Sequence, residues 1–282
     1  MPAPAAPKEP DPSETRVAAV KQVLDTKLAQ YGGTWSAPYI DLERGRDVTV
    51  NDEKLVAASL VKLYIMLAVF DGIEHDTITD DANVDALLKQ MITVSSNEAA
   101  NGLLSRIGNG DGKAAIATVT ATAQRYGFTS SEELRTLTGM ASGNAVENWT
   151  STRDCGSFLS QVYAGTLVSK NASERMMQLL LGQTRRTKIP AGVPSGVKVA
   201  NKTGELAAVQ NDVAIVFGTH PYVLAVMTLS AATRDAQGVR FGVPPRGRLN
   251  VAAMARARAL MQGRDFVMID VRSVGGPGGC AP

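Results

Sequence analysis

Hydrophobic and polar positions alternate with a recognisable period over most of the chain, and one stretch departs from every amphipathic pattern. Residues 59–70 are apolar at nearly every position, with no polar face of the kind that a surface helix presents to water. The stretch is also too short to span a bilayer, which takes about 20 residues. It therefore predicts a helix that is buried on all sides, around which the rest of the chain is organised.

Strand-like segments fall into two groups, one before this helix and one well after it. Short connections inside each group favour antiparallel pairing, and the simplest closure is one five-stranded antiparallel sheet. The predicted strands cover residues 34–42, 47–50, 197–202, 212–217 and 222–230.

Helical periodicity fills most of the remaining chain. The first helix is predicted over residues 13–30, with Ser13 as its N-cap. The segment 130–148 has little periodicity and predicts a long surface loop, a kind of segment that is usually functional. The other predicted helices cover residues 84–93, 98–107, 113–126, 153–163, 171–181 and 249–262.

This order of elements predicts an α+β fold with one domain. The terminal helices are expected to flank one face of the sheet, and an all-helical subdomain the other. The single domain is expected over residues 13–265. Within this domain, a sheet-bearing part is expected at 13–52 and 195–265, and a helical part at 53–194. A Pro-rich disordered tail at 1–12 is expected before the domain, and a C-terminal extension at 266–282 after it.

Composition argues against two kinds of partner. The chain has 282 residues, of which 44% are hydrophobic and 5% aromatic, and its formal net charge is +2 with acids and bases mixed throughout. Without a basic block or an aromatic surface, no nucleic-acid partner is expected. No apolar run reaches the length of a membrane span, so no span is expected either.

Cysteine and histidine residues do not indicate a metal site. His75 and His220 stand alone and are interpreted as structural or surface residues. Cys155 and Cys280 lack metal-ligand spacing, and whether they pair or remain two free thiols stays open. Neither a metal nor an organic cofactor is expected.

The candidate chemistry begins within the buried helix. Lys62 follows Ser59 by one helical turn, which puts both side chains on one face. Burial disfavours the ammonium form and lowers a lysine pKa by as much as about 3–5 units when it is complete. A lysine near neutrality beside a serine hydroxyl is a base beside a nucleophile. The alternative is a lysine that extends along the helix to reach solvent.

Two further motifs lie at positions from which they could share one active site with Ser59 and Lys62. Ser95-Ser-Asn97 lies in a predicted loop between two helices, and Lys202-Thr-Gly204 ends the first strand of the closing group. Taken singly, each has an ordinary explanation as a helix cap, a turn or a solvated strand end. Together they can meet in one cleft between the sheet and the helical subdomain. In this order, the three motifs resemble those of the penicillin-recognising serine hydrolases, and most closely the class A β-lactamases.

The resemblance covers roughly residues 16–262 and implies a β-lactamase/transpeptidase-like fold. It includes residues 91–101 around the middle motif, where Ser96 replaces the usual aspartate. It also includes Val193-Pro-Ser-Gly, before the strand that leads to Lys202.

By resemblance, the catalytic groups are Ser59, Lys62 and Ser95. Ser59 is expected to attack the substrate carbonyl and become acylated, Lys62 to take its proton, and Ser95 to pass a proton to the departing nitrogen. The backbone N–H groups of Ser59 and Glu205 are expected to form the oxyanion hole. The implied substrate-binding residues are Asn97, Lys202, Thr203 and Gly204.

Deacylation is where the sequence departs from the class A pattern. Those enzymes use a glutamate in this step, and residues 136–148 contain no Glu-x-x-x-Asn pattern at the matching position. Glu132 and Glu133 lie before the loop, and neither is carried over as the base. Glu147 remains a candidate, for which a solvated loop charge is the simpler interpretation.

A second departure concerns the site for the substrate's carboxylate. Some family members place an arginine on the strand after Lys202, where Asn211 stands in this chain. Lys188, or Arg185 with Arg186, is a candidate to replace that arginine. A solvated charge cluster is the simpler interpretation.

Three functions follow from the resemblance and its departures. The first is β-lactam hydrolysis, and the second is a D,D-peptidase or peptidoglycan acyltransferase that penicillin acylates and that deacylates slowly. The third is a non-catalytic β-lactam or peptidoglycan sensor domain. The expected ligand is a small-molecule β-lactam or a D-Ala-D-Ala-type peptide. Because such substrates occur outside the cytoplasm, the protein is expected to be exported. It is also expected to be a monomer.

Overall fold

The computed structural model describes residues 11–28, 33–137, 147–206 and 208–229. The predicted helix over 249–262, the C-terminal extension, most of the predicted N-terminal tail and Cys280 lie outside the described residues. In the part of the chain that is described, no helix has both the length and the apolar character needed to cross a membrane. Those residues also bring together no His, Cys, Asp and Glu group with the arrangement of a metal site.

Helices and strands follow the order that the sequence predicts. The helices are α1 (Pro12–Leu28), α2 (Lys62–Glu74), α3 (Ala82–Thr93), α4 (Asn97–Ile107), α5 (Gly112–Arg125), α6 (Thr152–Ala164) and α7 (Lys170–Leu181), with 3₁₀ turns at Ala58–Val61 and Ile189–Gly192. The strands are β1 (Thr34–Asp41), β2 (Arg46–Val50), β3 (Lys54–Val56), β4 (Trp149–Ser151), β5 (Lys198–Leu206), β6 (Val209–Phe217) and β7 (Tyr222–Leu229).

Five strands form the central antiparallel sheet, in the order β2-β1-β7-β6-β5. The sheet confirms the predicted α+β fold. Helix α1 covers one face, where Val20 and Leu24 pack with Trp35 and Tyr39 in a hydrophobic cluster. The helical block covers the other face and shares a larger core with it. Strand β5 is one edge of the sheet, and it contacts the 3₁₀ turn that precedes α2.

Helix α2 is buried from Lys62 to Gly72, which confirms the prediction of a helix without a wet face. It packs against α4 and α5. Burying a side chain such as Leu63 or Phe70 stabilises the fold by roughly 1.5–3 kcal/mol relative to exposing it. The α-helix begins only at Lys62, because the preceding turn is 3₁₀.

The N-cap of α1 differs from the prediction. The Ser13 N–H donates to the Asp11 carboxylate at 2.9 Å, so Asp11 accepts the bond that an N-cap residue accepts, and Ser13 lies inside the first turn. The Ser13 hydroxyl instead donates to the buried Asp41 at 2.8 Å, at the end of β1. A tertiary contact has therefore replaced the local cap.

Two other local predictions are wrong. Lys202-Thr-Gly204 lies inside β5 and not at its end, because pairing with β6 continues to Leu206 opposite Val209. The segment predicted as a surface loop has buried ends, where Ser131 and Asn148 are almost inaccessible. The Ser131 hydroxyl donates to Asp154 at 2.7 Å, and this long-range bond draws the segment inward.

The small sheet of β3 and β4 was not predicted at all. Lys54 pairs opposite Ser151, and Val56 opposite Trp149. Strands of three residues contain too few positions to show an alternating pattern. This sheet leads directly into the 3₁₀ turn, since the Ala57 N–H donates to the Asn148 carbonyl at 2.8 Å.

Candidate active site

The entry to the buried helix presents the first pair of candidate groups. Ser59 lies in the 3₁₀ turn, and Lys62 is the first residue of α2. The Lys62 Nζ lies 3.3 Å from the Ser59 Oγ. Ala58 has a φ of 48°, a left-handed conformation that non-glycine residues rarely adopt. Such strain costs on the order of 1–3 kcal/mol and clusters at functional sites.

Lys62 is fully buried and has several oxygen partners. Its Nζ donates to the Ser95 carbonyl at 2.6 Å and to the Asn97 Oδ1 at 2.8 Å. Burial, with a smaller contribution from the charge of Arg185, lowers the pKa of Lys62 to about 8. Part of the lysine population is therefore neutral near pH 8, and only the neutral form can accept the Ser59 proton.

The Ser95 hydroxyl lies between two lysines. Lys202 donates to Ser95 Oγ at 2.9 Å, and Lys62 donates to the same atom at 3.2 Å. Burial lowers the pKa of Lys202 well below its ordinary value, and the charge of Lys62 acts in the same direction. Ser95 itself has a φ of 63°, a second left-handed residue at the site. The Ser95 hydroxyl thus links Lys62, which lies beside Ser59, to Lys202 of the third motif.

Gly204 brings β5 against the turn that carries Ser59. A Cβ on Gly204 would lie 2.8 Å from the Ala57 carbonyl oxygen and 3.2 Å from the Leu60 nitrogen, both of them backbone atoms. Only glycine permits this approach. Strand β5 therefore contacts the 3₁₀ turn at Gly204, one residue before Glu205.

The remaining matched residues also lie on elements that converge here. Asn97 begins α4, and its side-chain oxygen accepts a hydrogen bond from Lys62. Thr203 is buried in β5, next to Lys202. Ser96, which replaces the usual aspartate, caps α4 by accepting the Ala99 N–H at 3.1 Å. Its hydroxyl therefore has a local structural role.

Comparison with protein families gives one match over most of the chain. The model of the β-lactamase enzyme family matches residues 17–86 and 77–242, which is most of the chain. The chain belongs to the β-lactamase enzyme family. A model of the AAA lid domain matches residues 231–273, outside the described residues. No curated protein matches the sequence.

Solved structures share the fold of this β-lactamase-family chain at low sequence identity. PBP-A aligns with a TM-score of 0.72 at 21% identity, over 87% of this chain and 96% of its own. The β-lactamase from Sphaerobacter thermophilus DSM 20745 aligns with a TM-score of 0.71 at 21% identity, over 87% of this chain and 97% of its own. A point mutant of PBP-A, solved as an acyl-enzyme complex with penicillin G, aligns with a TM-score of 0.70 at 21% identity, over 91% of this chain and 100% of its own. Identity this low establishes the fold and does not transfer an activity.

Asn211 does not take the place of the arginine that some family members have. Its side-chain amide donates to the carbonyls of Val56 and Ala57, at 3.0 and 3.3 Å. Its Oδ1 accepts the Thr228 N–H at 3.0 Å. Both protons of this amide group are committed, so Asn211 holds the backbone before Ser59 and leaves no donor for a substrate carboxylate.

Lys188 fits the predicted substitute for that arginine better. Its side chain is fully buried, and its Nζ donates to the Asn211 carbonyl at 3.0 Å. It also forms an ion pair with Glu205 at 2.8 Å. Arg186 donates to the Val199 carbonyl at 3.2 Å. Lys188 is therefore bonded within the fold, whereas Arg185 and Arg186 are exposed, as the solvated interpretation expects.

Glu147 is not placed as a base. Its carboxylate forms an ion pair with Arg135 at 2.9 Å, and both side chains are about three-quarters buried. The pair joins two residues that are 12 positions apart in the chain. Glu147 is thus an ion-pair partner of Arg135, and neither a free base nor a fully solvated charge.

Glu133 is the acidic residue that sequence reasoning set aside. It is 1% exposed, and neither carboxylate oxygen has a hydrogen-bond partner among the described residues. Burial raises its pKa to about 8, while the charges of Arg135 and Lys62 oppose this rise. Glu132 forms a β-bridge with Trp149 and an ion pair with Lys54, so the next side chain along, Glu133, lies on the inner side.

Proposed function

We propose that this protein is a serine hydrolase of the penicillin-recognising type, in which β-lactams acylate Ser59. The observation that carries the proposal is the position of one buried amine, Lys62 Nζ, at 3.3 Å from the Ser59 hydroxyl and 3.2 Å from the Ser95 hydroxyl. A base, a nucleophile and a proton carrier are thus in contact before substrate binds.

Acylation begins when neutral Lys62 accepts the proton of Ser59. The Ser59 Oγ then forms a bond to the substrate carbonyl carbon, and the backbone N–H groups of Ser59 and Glu205 stabilise the resulting oxyanion. The C–N bond of the amide breaks as a proton passes from Lys62 through Ser95 to the departing nitrogen. In a β-lactam this nitrogen stays attached to the acyl group, whereas in a peptide it leaves as an amine.

Substrate binding is assigned to the groups around this centre. Asn97 begins α4 beside Lys62 and is proposed to bind the side-chain amide of the substrate. Lys202, Thr203 and Gly204 are proposed to line the site for its carboxylate. Substrates of this kind occur outside the cytoplasm, which supports export of the protein.

The fate of the acyl-enzyme separates β-lactam hydrolysis from D,D-peptidase or acyltransferase activity. Residues 134–146 contain no aspartate or glutamate, and Glu147 is bound to Arg135. Glu133 is buried, and its carboxylate oxygens have no hydrogen-bond partner among the described residues to orient them. Where no oriented base activates water, an acyl-enzyme formed from a β-lactam persists. This observation favours the D,D-peptidase or acyltransferase that deacylates slowly.

The intact mass of the protein after incubation with benzylpenicillin tests the proposal. The expected result is a gain of one penicillin on the unmodified protein and on Ser105→Ala, which removes an exposed hydroxyl elsewhere on α4. No gain is expected on Ser59→Ala. An equal gain on Ser59→Ala, or none on the unmodified protein, contradicts acylation of Ser59.

A chromogenic cephalosporin measured in parallel decides between the candidate reactions. Turnover above the Ser59→Ala background supports β-lactam hydrolysis. A lasting adduct without turnover supports the D,D-peptidase or acyltransferase. The absence of any adduct, together with measurable binding of a peptidoglycan fragment, supports the sensor hypothesis.

A further inference from the structure

Four basic side chains surround the proposed site for the substrate's carboxylate. Lys62, Lys202 and Lys188 are fully buried, whereas the side chain of Arg185 is 48% exposed. Their charges act on one another, because Arg185 lowers the pKa of both Lys62 and Lys202, and Lys188 lowers that of Lys202 as well. Buried cations need anions nearby, and the buried Asp212 supplies one of them, since its charge raises the pKa of Lys202.

Glu205 supplies an anion from a position directly after Lys202-Thr-Gly204. Its Oε1 lies 2.8 Å from Lys188 Nζ, and its Oε2 lies 3.4 Å from a guanidinium nitrogen of Arg185. The two oxygens therefore divide between two cations, as the two oxygens of a substrate carboxylate can. The backbone of the same residue is proposed to serve the oxyanion hole, so its side chain starts at the reaction centre.

The two ends of this bridge differ in how firmly they are held. Lys188 is fully buried and has a second partner, the Asn211 carbonyl at 3.0 Å. The contact with Arg185 is longer, and both of its side chains are partly exposed, Glu205 at 24%. Exposed ion pairs of this kind contribute little to stability and exchange readily.

We propose that the Glu205 carboxylate is a resident anion in the substrate-carboxylate site, and that a carboxylate-bearing ligand competes with it for Lys188 and Arg185. This inference rests on the proposed acylation of Ser59. The competition makes Glu205 a specificity-determining residue. It disfavours anionic acyl donors and leaves uncharged ones unaffected. Without Glu205, Lys188 and Arg185 lose this ion pair, so an incoming carboxylate no longer has to displace a resident anion to bind them.

The test compares benzylpenicillin with its uncharged methyl ester, with acylation of Ser59 followed by intact mass. Glu205→Gln is expected to raise the second-order rate constant for the acid about tenfold relative to the ester, which corresponds to about 1.4 kcal/mol. Glu205→Ala removes the same charge and is expected to act in the same direction. Glu205→Asp keeps the charge and is expected to retain a low ratio of acid to ester.

Glu14→Gln is the matched control, because it removes one carboxylate from an ion pair with Arg46 at the opposite edge of the sheet. It is expected to leave the ratio unchanged. An unchanged or lower ratio in both Glu205→Gln and Glu205→Ala overturns the inference. If neither acid nor ester acylates the unmodified protein, the proposed function has failed instead. Calorimetric binding of the acid in a Ser59→Ala background then tests the competition without acylation: tighter binding after Glu205→Gln supports it, and equal or weaker binding overturns it.

Discussion

The two walls of the candidate site differ in whether their buried polar groups are hydrogen-bonded. On the wall of Lys62 and Lys202, each buried amine contacts oxygens at hydrogen-bond distance, down to 2.6 Å. On the wall formed by the segment around Glu133, four buried polar atoms have no hydrogen-bond partner among the described residues: both carboxylate oxygens of Glu133, the Nε of Arg135 and the Nδ2 of Asn101. The first wall is prepared for a proton transfer, whereas the Glu133 carboxyl group on the second acts on Lys62 only through its charge.

This difference separates the two halves of a hydrolase cycle. Acylation needs the groups that the first wall supplies, whereas deacylation needs a base that activates water. Glu133, the buried carboxyl group of the second wall, has no hydrogen-bond partner among the described residues to orient it. A fold of the β-lactamase family can therefore retain a complete acylation site and differ in how fast the acyl group leaves. Four substitutions test the contrast, in decreasing order of expected effect.

Lys62→Met removes the base from the first wall, and it should have the largest effect. Methionine fills a similar volume without an amine, so acylation by benzylpenicillin is expected to slow by about 10²–10⁴-fold. The rate is measured by quenched-flow mass spectrometry. Lys113→Met, at an exposed lysine on α5, is the control and should change nothing. A Lys62→Met rate within a few fold of the unmodified rate contradicts the assignment.

Glu133→Gln tests whether the second wall holds an unfavourable charge. Because burial raises the pKa of Glu133 to about 8 from 4.5, the folded state binds this proton more tightly than the unfolded state. The folded protein should then lose stability as the pH rises from about 4.5 to about 8, by on the order of 4 kcal/mol. Glu133→Gln should remove this loss.

Urea unfolding at several pH values measures that effect. Glu147→Gln is the matched control, because it neutralises the glutamate that is paired with Arg135. It is expected to cost about 1 kcal/mol or less and to leave the pH slope in place. A slope that survives in Glu133→Gln shows that the carboxyl group is not responsible for it.

Gly204→Ala tests the approach of β5 to the first wall. The new Cβ would lie 2.8 Å from the Ala57 carbonyl, so the strand or the Ser59 turn must move. Misplacing one oxyanion donor is expected to slow acylation about 10²–10³-fold. Gly112→Ala, where a Cβ meets open space, is the control. Equal rates in the two variants would remove the oxyanion-hole assignment of Glu205.

Ser96→Ala should have the smallest effect. Losing this N-cap of α4 is expected to cost about 1 kcal/mol in unfolding free energy. The cap of α7, Ser169, offers a matched comparison, since it accepts the Ala172 N–H in the same way. Thermal unfolding and acylation rate are measured for both. A loss of acylation in Ser96→Ala far beyond that in Ser169→Ala shows that Ser96 acts in the chemistry as well.

The same contrast describes what could be predicted from the sequence. The first wall was predictable because its residues lie in short motifs, each at a spacing that one helix turn or one strand explains, such as Ser59 with Lys62. The five-stranded sheet and the buried α2 were predictable from local periodicity. The burial of Lys62 followed from the apolar residues around it.

The second wall and the carboxylate site were not predictable, because they depend on contacts between distant residues. Asn211 reaches the carbonyl of Ala57 across 154 positions, a bond that the strand register alone decides. The ion pair of Lys188 with Glu205 joins a turn to a strand. The inward orientation of the Glu133 side chain depends on a single β-bridge that its neighbour Glu132 forms with Trp149. No spacing in the sequence encodes these distances.

The pH dependence of Ser59 acylation tests the central assignment most directly. With its pKa lowered to about 8, Lys62 must lose its proton before it can act as the base. The rate constant for benzylpenicillin is therefore expected to rise with pH from about 6, with a midpoint near pH 8, and to level off above about pH 9. A rate that does not change over this range, with the Ser59 adduct still forming, would contradict the role of neutral Lys62.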